Sequence, residues 1–84
     1  MDIDDTAVFI LCLHKTNQQH DIEVPLNITA KELVGALNTA YQLNIDLDDI
    51  SQCFLRSENP IALLKGETTL QEYGLYDGTI IHVF

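Results

Sequence analysis

The sequence predicts an α+β domain in which a five-stranded mixed sheet packs on one main helix. Three observations predict it. Runs of β-branched and aromatic residues stand near both ends of the chain, at Ala7 to Leu13 and Thr79 to Phe84. A capped amphipathic segment follows the second of the early strand patterns, and two short apolar runs precede the last one. A single amphipathic helix must bury its stripe against another element, and here that element is a sheet.

Thr6 to His14 reads as the first strand; it is apolar at nearly every position, which predicts cover on both faces. Lys15 to Gln19 is polar and turn-like. His20 to Leu26 then alternates, with Ile22, Val24 and Leu26 on one face, and Pro25 marks an edge strand or a strand end because it has no N–H to donate. Together these runs form a hairpin.

The helix begins at Thr29, where Thr29-Ala30-Lys31-Glu32 fits a capping box flanked by an Ile28–Leu33 staple. Leu33, Ala36, Leu37, Ala40 and Tyr41 recur at helical spacing and predict the buried stripe. Gly35 is unfavourable in a helix and predicts a close approach to a strand. The helix is expected to end between Gln42 and Asn44.

Asp46 to Ile50 is a loop or short helical turn. Gln52 to Arg56 is expected as the third strand, Ser57 to Pro60 as a turn, and Ile61 to Leu64 as the fourth strand. Thr69 to Gly74 reads as one helical turn closed by a glycine, and Asp77-Gly78 as the turn before the last strand. The first and last strands lack regular polar alternation, so they are expected side by side and parallel at the sheet centre. That arrangement is a β-grasp. A ferredoxin-like fold would need a second full helix, which Thr69 to Tyr73 is too short to supply.

Composition narrows the function classes. Thirteen acidic and four basic residues leave a formal charge of −9. The cations Lys15, Lys31, Arg56 and Lys65 are scattered, so no footprint for nucleic acid or for an anionic membrane surface is expected. A protein partner with a basic or mixed surface is the electrostatic complement, although acidity also serves solubility. Cys12 and Cys53 sit in apolar runs without metal spacing and are expected as buried thiols. The acidic start, residues 1–5, is expected as a lead-in and does not fit a secretory signal, and no apolar run is long enough to span a bilayer as a helix. A cytoplasmic location without direct membrane insertion is the expectation.

No catalytic, cofactor or metal site is expected. His14, His20 and His82 lack the local spacing of a ligand pair, and ordinary surface histidines are the favoured reading. The stretch from Asp46 to Asp49 has the opening of a calcium loop, but Ser51 and Ser57 stand where glycine and glutamate are needed. Ser51 follows Ile50, which does not fit an acyl-carrier attachment site, and no nucleophile–base pair or phosphate-cradling loop is visible.

Ile22-Glu23-Val24, Ile28-Thr29, Leu33 and Leu37 resemble the second strand and helix start of ubiquitin. Leu64 and the stretch Thr69 to Tyr73 resemble its late strand and helical turn. More specifically, Lys65-Gly66-Glu67, Leu70, Gly74-Leu75 and Asp77-Gly78 resemble the YukD/EsaB family, small cytosolic ubiquitin-like proteins of the type VII secretion systems of Gram-positive bacteria. The resemblance spans roughly residues 6–84. It implies a ubiquitin-like β-grasp that acts as a non-conjugated accessory by docking to a component of the secretion machine. The sequence stops at Phe84 without the terminal Gly-Gly that modifiers and sulfur carriers use, so that alternative is disfavoured unless a longer native chain continues beyond it.

The resemblance also implies binding through the exposed sheet face. Alternation places Ile81, Val83, Cys53 and Leu55 toward the helix and leaves Phe54, Arg56, Ile80, His82 and Phe84 outward. Aromatic residues and arginine are the types enriched at binding hot spots. A one-residue slip in register would reverse every assignment and put Phe54 in the core.

Overall fold

The structure, a computed structural model, describes residues 5–84. The expected acidic lead-in therefore lies outside the described residues except for Asp5, whose carbonyl accepts a hydrogen bond from the Leu26 N–H at 2.9 Å.

Two hairpins, one helix and a final strand make the fold. The strands are β1 (Thr6–Leu13), β2 (Gln18–Pro25), β3 (Phe54–Glu58), β4 (Ala62–Lys65) and β5 (Ile80–Val83), with helix α1 (Ala30–Tyr41) after β2 and a 3-10 turn at Ile50–Gln52. The sheet order is β2-β1-β5-β3-β4. β5 runs parallel to β1 and antiparallel to β3, so the last strand is the centre of a mixed sheet. This is the β-grasp topology that the element order predicts. β2 lies at an edge, where Pro25 interrupts no ladder to a further strand.

Alternation sorts the sheet into two faces. Ala7, Phe9, Leu11 and Leu13 of β1, Leu55 of β3, Leu64 of β4 and Ile81 of β5 are buried with the helix residues Ala30, Leu33, Val34 and Leu37. The expected stripe is rotated: Ala36 and Ala40 are exposed, and Val34 and Ala30 take their place. Both sets fit a 3.6-residue period, and turning Val34 inward removes more apolar surface from water than turning an alanine inward. A Cβ on Gly35 would meet nothing within 4 Å, so this glycine marks no close approach to a strand.

The helix start forms the full capping box: the Glu32 N–H donates to Thr29 Oγ1 at 3.1 Å, and the Thr29 N–H donates to Glu32 Oε1 at 3.2 Å. The next two N–H groups find partners in tertiary structure, Ala30 on the Thr68 carbonyl and Lys31 on the Gly66 carbonyl. Thus donors that have no partner within a helix tie its first turn to the 66–71 segment. That segment is a turn stabilised by the same chemistry, Glu72 N–H to Thr69 Oγ1 and Thr69 N–H to Glu72 Oε1, both 3.1 Å.

Three expectations need correction. β3 begins at Phe54 and continues to Glu58, because the Asp49 carboxylate accepts from the Ser51 N–H and draws Ile50–Gln52 into the 3-10 turn. Ser57 and Glu58 are thus strand residues, and β4 shifts to Ala62–Lys65. Cys12 and Cys53 are only half-buried. Cys12 points away from the helix, and the Cys53 thiol lies 3.3 Å from the Asp49 carbonyl in the preceding loop. Finally, β1 is not covered on both faces: Val8 is 44% exposed on the side away from α1.

Candidate functional site

The outward face of the sheet is built by register. Arg56 of β3 pairs with His82 of β5, and His82 pairs with Cys12 of β1. One step along, Glu58 pairs with Ile80 and Ile80 with Ile10. Leu55, Ser57 and Ile81 between them point inward and are buried. Phe54, Arg56, Ile80 and His82 therefore project to the side away from α1, and Phe84 follows His82 on the same side. Phe84 is 64% exposed and Phe54 is 36% exposed.

These side chains contact one another. Phe84 stacks on His14 with ring centroids 4.4 Å apart and an interplanar angle of 5°. His82 lies 5.9 Å from the same ring, and the Arg56 guanidinium sits 5.7 Å from its centroid, within reach of a cation–π attraction. His14 Nε2 and His82 Nδ1 are 2.8 Å apart, and His82 Nε2 meets Glu58 Oε1 at 2.9 Å. A chain Glu58–His82–His14 thus runs across β3, β5 and the end of β1.

Sequence spacing missed His14. The spacing of His14, His20 and His82 is not that of a local ligand pair and points to ordinary surface histidines. The signal was available in the expected parallel pairing: aligning the ends of β1 and β5 brings His14 beside Phe84. Among the described residues, no group of three or more His, Cys, Asp or Glu is placed to hold a metal ion.

A groove of about 380 Å³ opens between Phe54 and Phe84. Its walls come from β3, β5, the turn between β1 and β2, the loop after α1 and the 3-10 turn, and include Arg56, Lys15, Leu43 and Ile45. That loop is held by Asn38, whose side chain donates to the Ile45 carbonyl at 3.1 Å and accepts from the Ile45 N–H at 2.9 Å. A second depression of about 280 Å³ shares Lys15, Leu43, Asn44, Val83 and Phe84 and extends toward Tyr41. Phe84 thus stands between two contiguous hollows.

Apart from this face, two carboxylates show shifted acidity, and both serve turns. Hydrogen bonds from the Ser51 side chain, the Gln52 side chain and the Ser51 N–H hold Asp49 below its ordinary value. The Thr69 N–H, followed by the Thr69 hydroxyl, does the same for Glu72. Among the described residues, no helix is long and apolar enough to cross a membrane.

Solved structures similar to this chain include ubiquitin-like domains. The C-terminal ubiquitin-like domain of mouse tubulin-specific chaperone e superposes with a TM-score of 0.74 at 14% identity, covering 99% of this chain and 89% of that one. A ubiquitin-like domain from an Arabidopsis thaliana protein gives 0.70 at 16% identity, covering 100% and 81%. Tubulin-binding cofactor B of Trypanosoma brucei gives 0.67 at 10% identity, covering 92% and 91%. At such identities the likeness shows the fold alone. Comparison with curated protein sequences gives no match. The model of the family described as "WXG100 protein secretion system (Wss), protein YukD" matches residues 7–83. With nearly the whole chain inside that match, this ubiquitin-like β-grasp protein belongs to the YukD family of the WXG100 secretion system.

Proposed function

We propose that the chain is a non-catalytic, non-conjugated accessory of its secretion system and acts by docking to another protein component through the outward sheet face. The observation that carries this reading is the cluster of Phe54, Arg56, Ile80, His82 and Phe84 on that face, with Phe84 64% exposed although it is stacked and ordered by its neighbours. Large aromatic surface beside an arginine is the composition of a binding hot spot, and leaving it in water is unfavourable. Family membership favours a component of the secretion machine as the partner, reached from the cytoplasmic side, and the net charge of −9 favours a partner surface that is basic or mixed.

The test is the double variant Phe54→Ala with Phe84→Ala. Both rings lie outside the core, so the fold is expected to persist, and capture of secretion components is expected to be lost. Undiminished capture would overturn the face assignment, and wild-type protein that captures no such component would overturn the docking role. An adduct detected by intact mass after incubation with ATP and an activating enzyme would instead support a modifier.

A further inference from the structure

We infer that the groove beside Phe84 receives an acidic, apolar segment of the docking partner, although the protein as a whole is strongly acidic. The inference deepens the docking reading above and rests on it. Its basis is the distribution of charge. The chain has 13 acidic residues and 4 basic ones. Yet, among the described residues, neither hollow flanking Phe84 is lined by any Asp or Glu, while Lys15 and Arg56 both line the larger one. Neither cation forms an ion pair among the described residues; the two ion pairs found there are Lys31–Glu67 and His82–Glu58.

The acidic side chains of the same sheet face lie elsewhere. Asp21 and Glu23 project outward from the β2 edge, at the opposite side of the sheet from Phe54. Glu58 shares β3 with Arg56 but is held by His82 and does not line either hollow. The formal charges that line the groove are therefore positive, with Leu43, Ile45 and Phe54 among its apolar walls; the nearest carboxylate behind the lining, Asp49, is engaged by Ser51 and Gln52 in the 3-10 turn. Its size falls within the range of roughly 300–1,000 Å³ typical of ligand pockets, enough to seat one or two side chains. A carboxylate beside a large aliphatic side chain fits both features. Arg56 offers a planar donor fork to the carboxylate, and the walls take the aliphatic group. The remainder of the partner can meet Asp21 and Glu23 with basic residues, which fits a surface of mixed charge.

The probe is a fluorescein-labelled, capped octapeptide alternating Glu and Leu, measured by fluorescence anisotropy at low and at physiological salt. The net charge of the protein repels this peptide, so binding has to be local. Saturable binding is expected, weakened at least about fivefold by Arg56→Glu with Lys15→Glu. The milder pair Arg56→Gln with Lys15→Gln is expected to weaken it in the same direction, and Lys31→Glu, on the exposed side of α1, to leave it unchanged. Circular dichroism checks that each variant is folded.

Absence of binding at millimolar peptide overturns the inference, as does binding indifferent to both groove pairs. Tighter binding of a Lys–Leu peptide than of the Glu–Leu peptide to the wild-type groove, lost with Phe54→Ala and Phe84→Ala, also overturns it. Self-association through this face, lost with Phe84→Ala and accompanied by no peptide binding, would make a second copy the occupant and overturn it as well. The docking role is tested separately. If Arg56→Glu with Lys15→Glu captures secretion components as well as wild type while Phe54→Ala with Phe84→Ala does not, the acidic occupant is excluded and docking stands. If the peptide binds as expected but no component is captured, docking to the machine is excluded and the groove chemistry stands.

Discussion

His14 Nε2 lies 2.8 Å from His82 Nδ1, joining residues that are 68 positions apart in the chain. The other ring nitrogen of His82 faces Glu58 Oε1 at 2.9 Å. A neutral His82 whose Nε2–H donates to Glu58 has only a lone pair on Nδ1, so the hydrogen in the gap then belongs to His14. A charged His82 reverses the direction and donates to His14. In either state the gap holds one hydrogen, and two fully protonated rings cannot keep the contact. The stack of Phe84 on His14 follows from this pairing, since it fixes the plane on which the phenyl ring rests.

Nitrogen-15 spectra of the imidazole side chains check this arrangement. A neutral His82 is expected to carry its proton on Nε2, and finding it on Nδ1 would contradict the chain to Glu58. His14→Ala is expected to weaken the ordering of Phe84 and to leave the core signals of Phe9 and Leu11 in place.

The buried hydroxyl of Thr79 gives a stability prediction. Thr79 is fully buried; its Oγ1 donates to the Asn59 carbonyl at 2.7 Å and accepts from the Tyr76 N–H at 3.1 Å. Thr79→Val keeps the shape and leaves both partners without a hydrogen bond. The expected cost is about 1–3 kcal/mol, the penalty for buried polar groups left unpaired. Chemical denaturation should show a lower midpoint with an unchanged slope. A variant as stable as wild type would mean that the loop relaxes to solvate both groups.

Acid sensitivity follows from Glu72. Its carboxyl is held below the ordinary value of 4.5, first by the Thr69 N–H and then by the Thr69 hydroxyl. A carboxyl whose folded value is depressed contributes stability that is present above the unfolded value and is lost as pH falls through the folded one. The stability difference between wild type and Glu72→Gln should therefore be greatest near neutral pH and shrink below the carboxylate range. In Thr69→Val the hydroxyl is gone but the N–H remains. Side-chain NMR titration should then show part of the depression lost and the larger part kept.

Local patterns in the sequence determined much of this protein. The capping box at Thr29 and Glu32 is legible because its partners are three residues apart and their hydrogen bonds need no tertiary contact. Alternation in β3 and β5 is legible because successive side chains of a strand must face opposite ways, and this separates Leu55 and Ile81 from Phe54, Arg56 and His82. The order of elements was enough for the β-grasp, since one helix and a central parallel pair leave few ways to close a small core.

Other features were decided only by the tertiary structure. The rotation of α1 that buries Val34 and exposes Ala36 and Ala40 depends on the shape of the sheet beneath it, because both stripes satisfy the helical period. The half-exposure of Cys12 depends on which face of β1 the helix covers, and an unbroken apolar run does not say. The meeting of His14 with His82, and the lack of any Asp or Glu among the described residues that line the hollows beside Phe84, depend on strand register and on the path of the loop after α1. Spacing within an element reports only neighbours along the chain. Charge and contact at a face are sums over elements that the chain brings together from far apart, so they exist only once the sheet has closed.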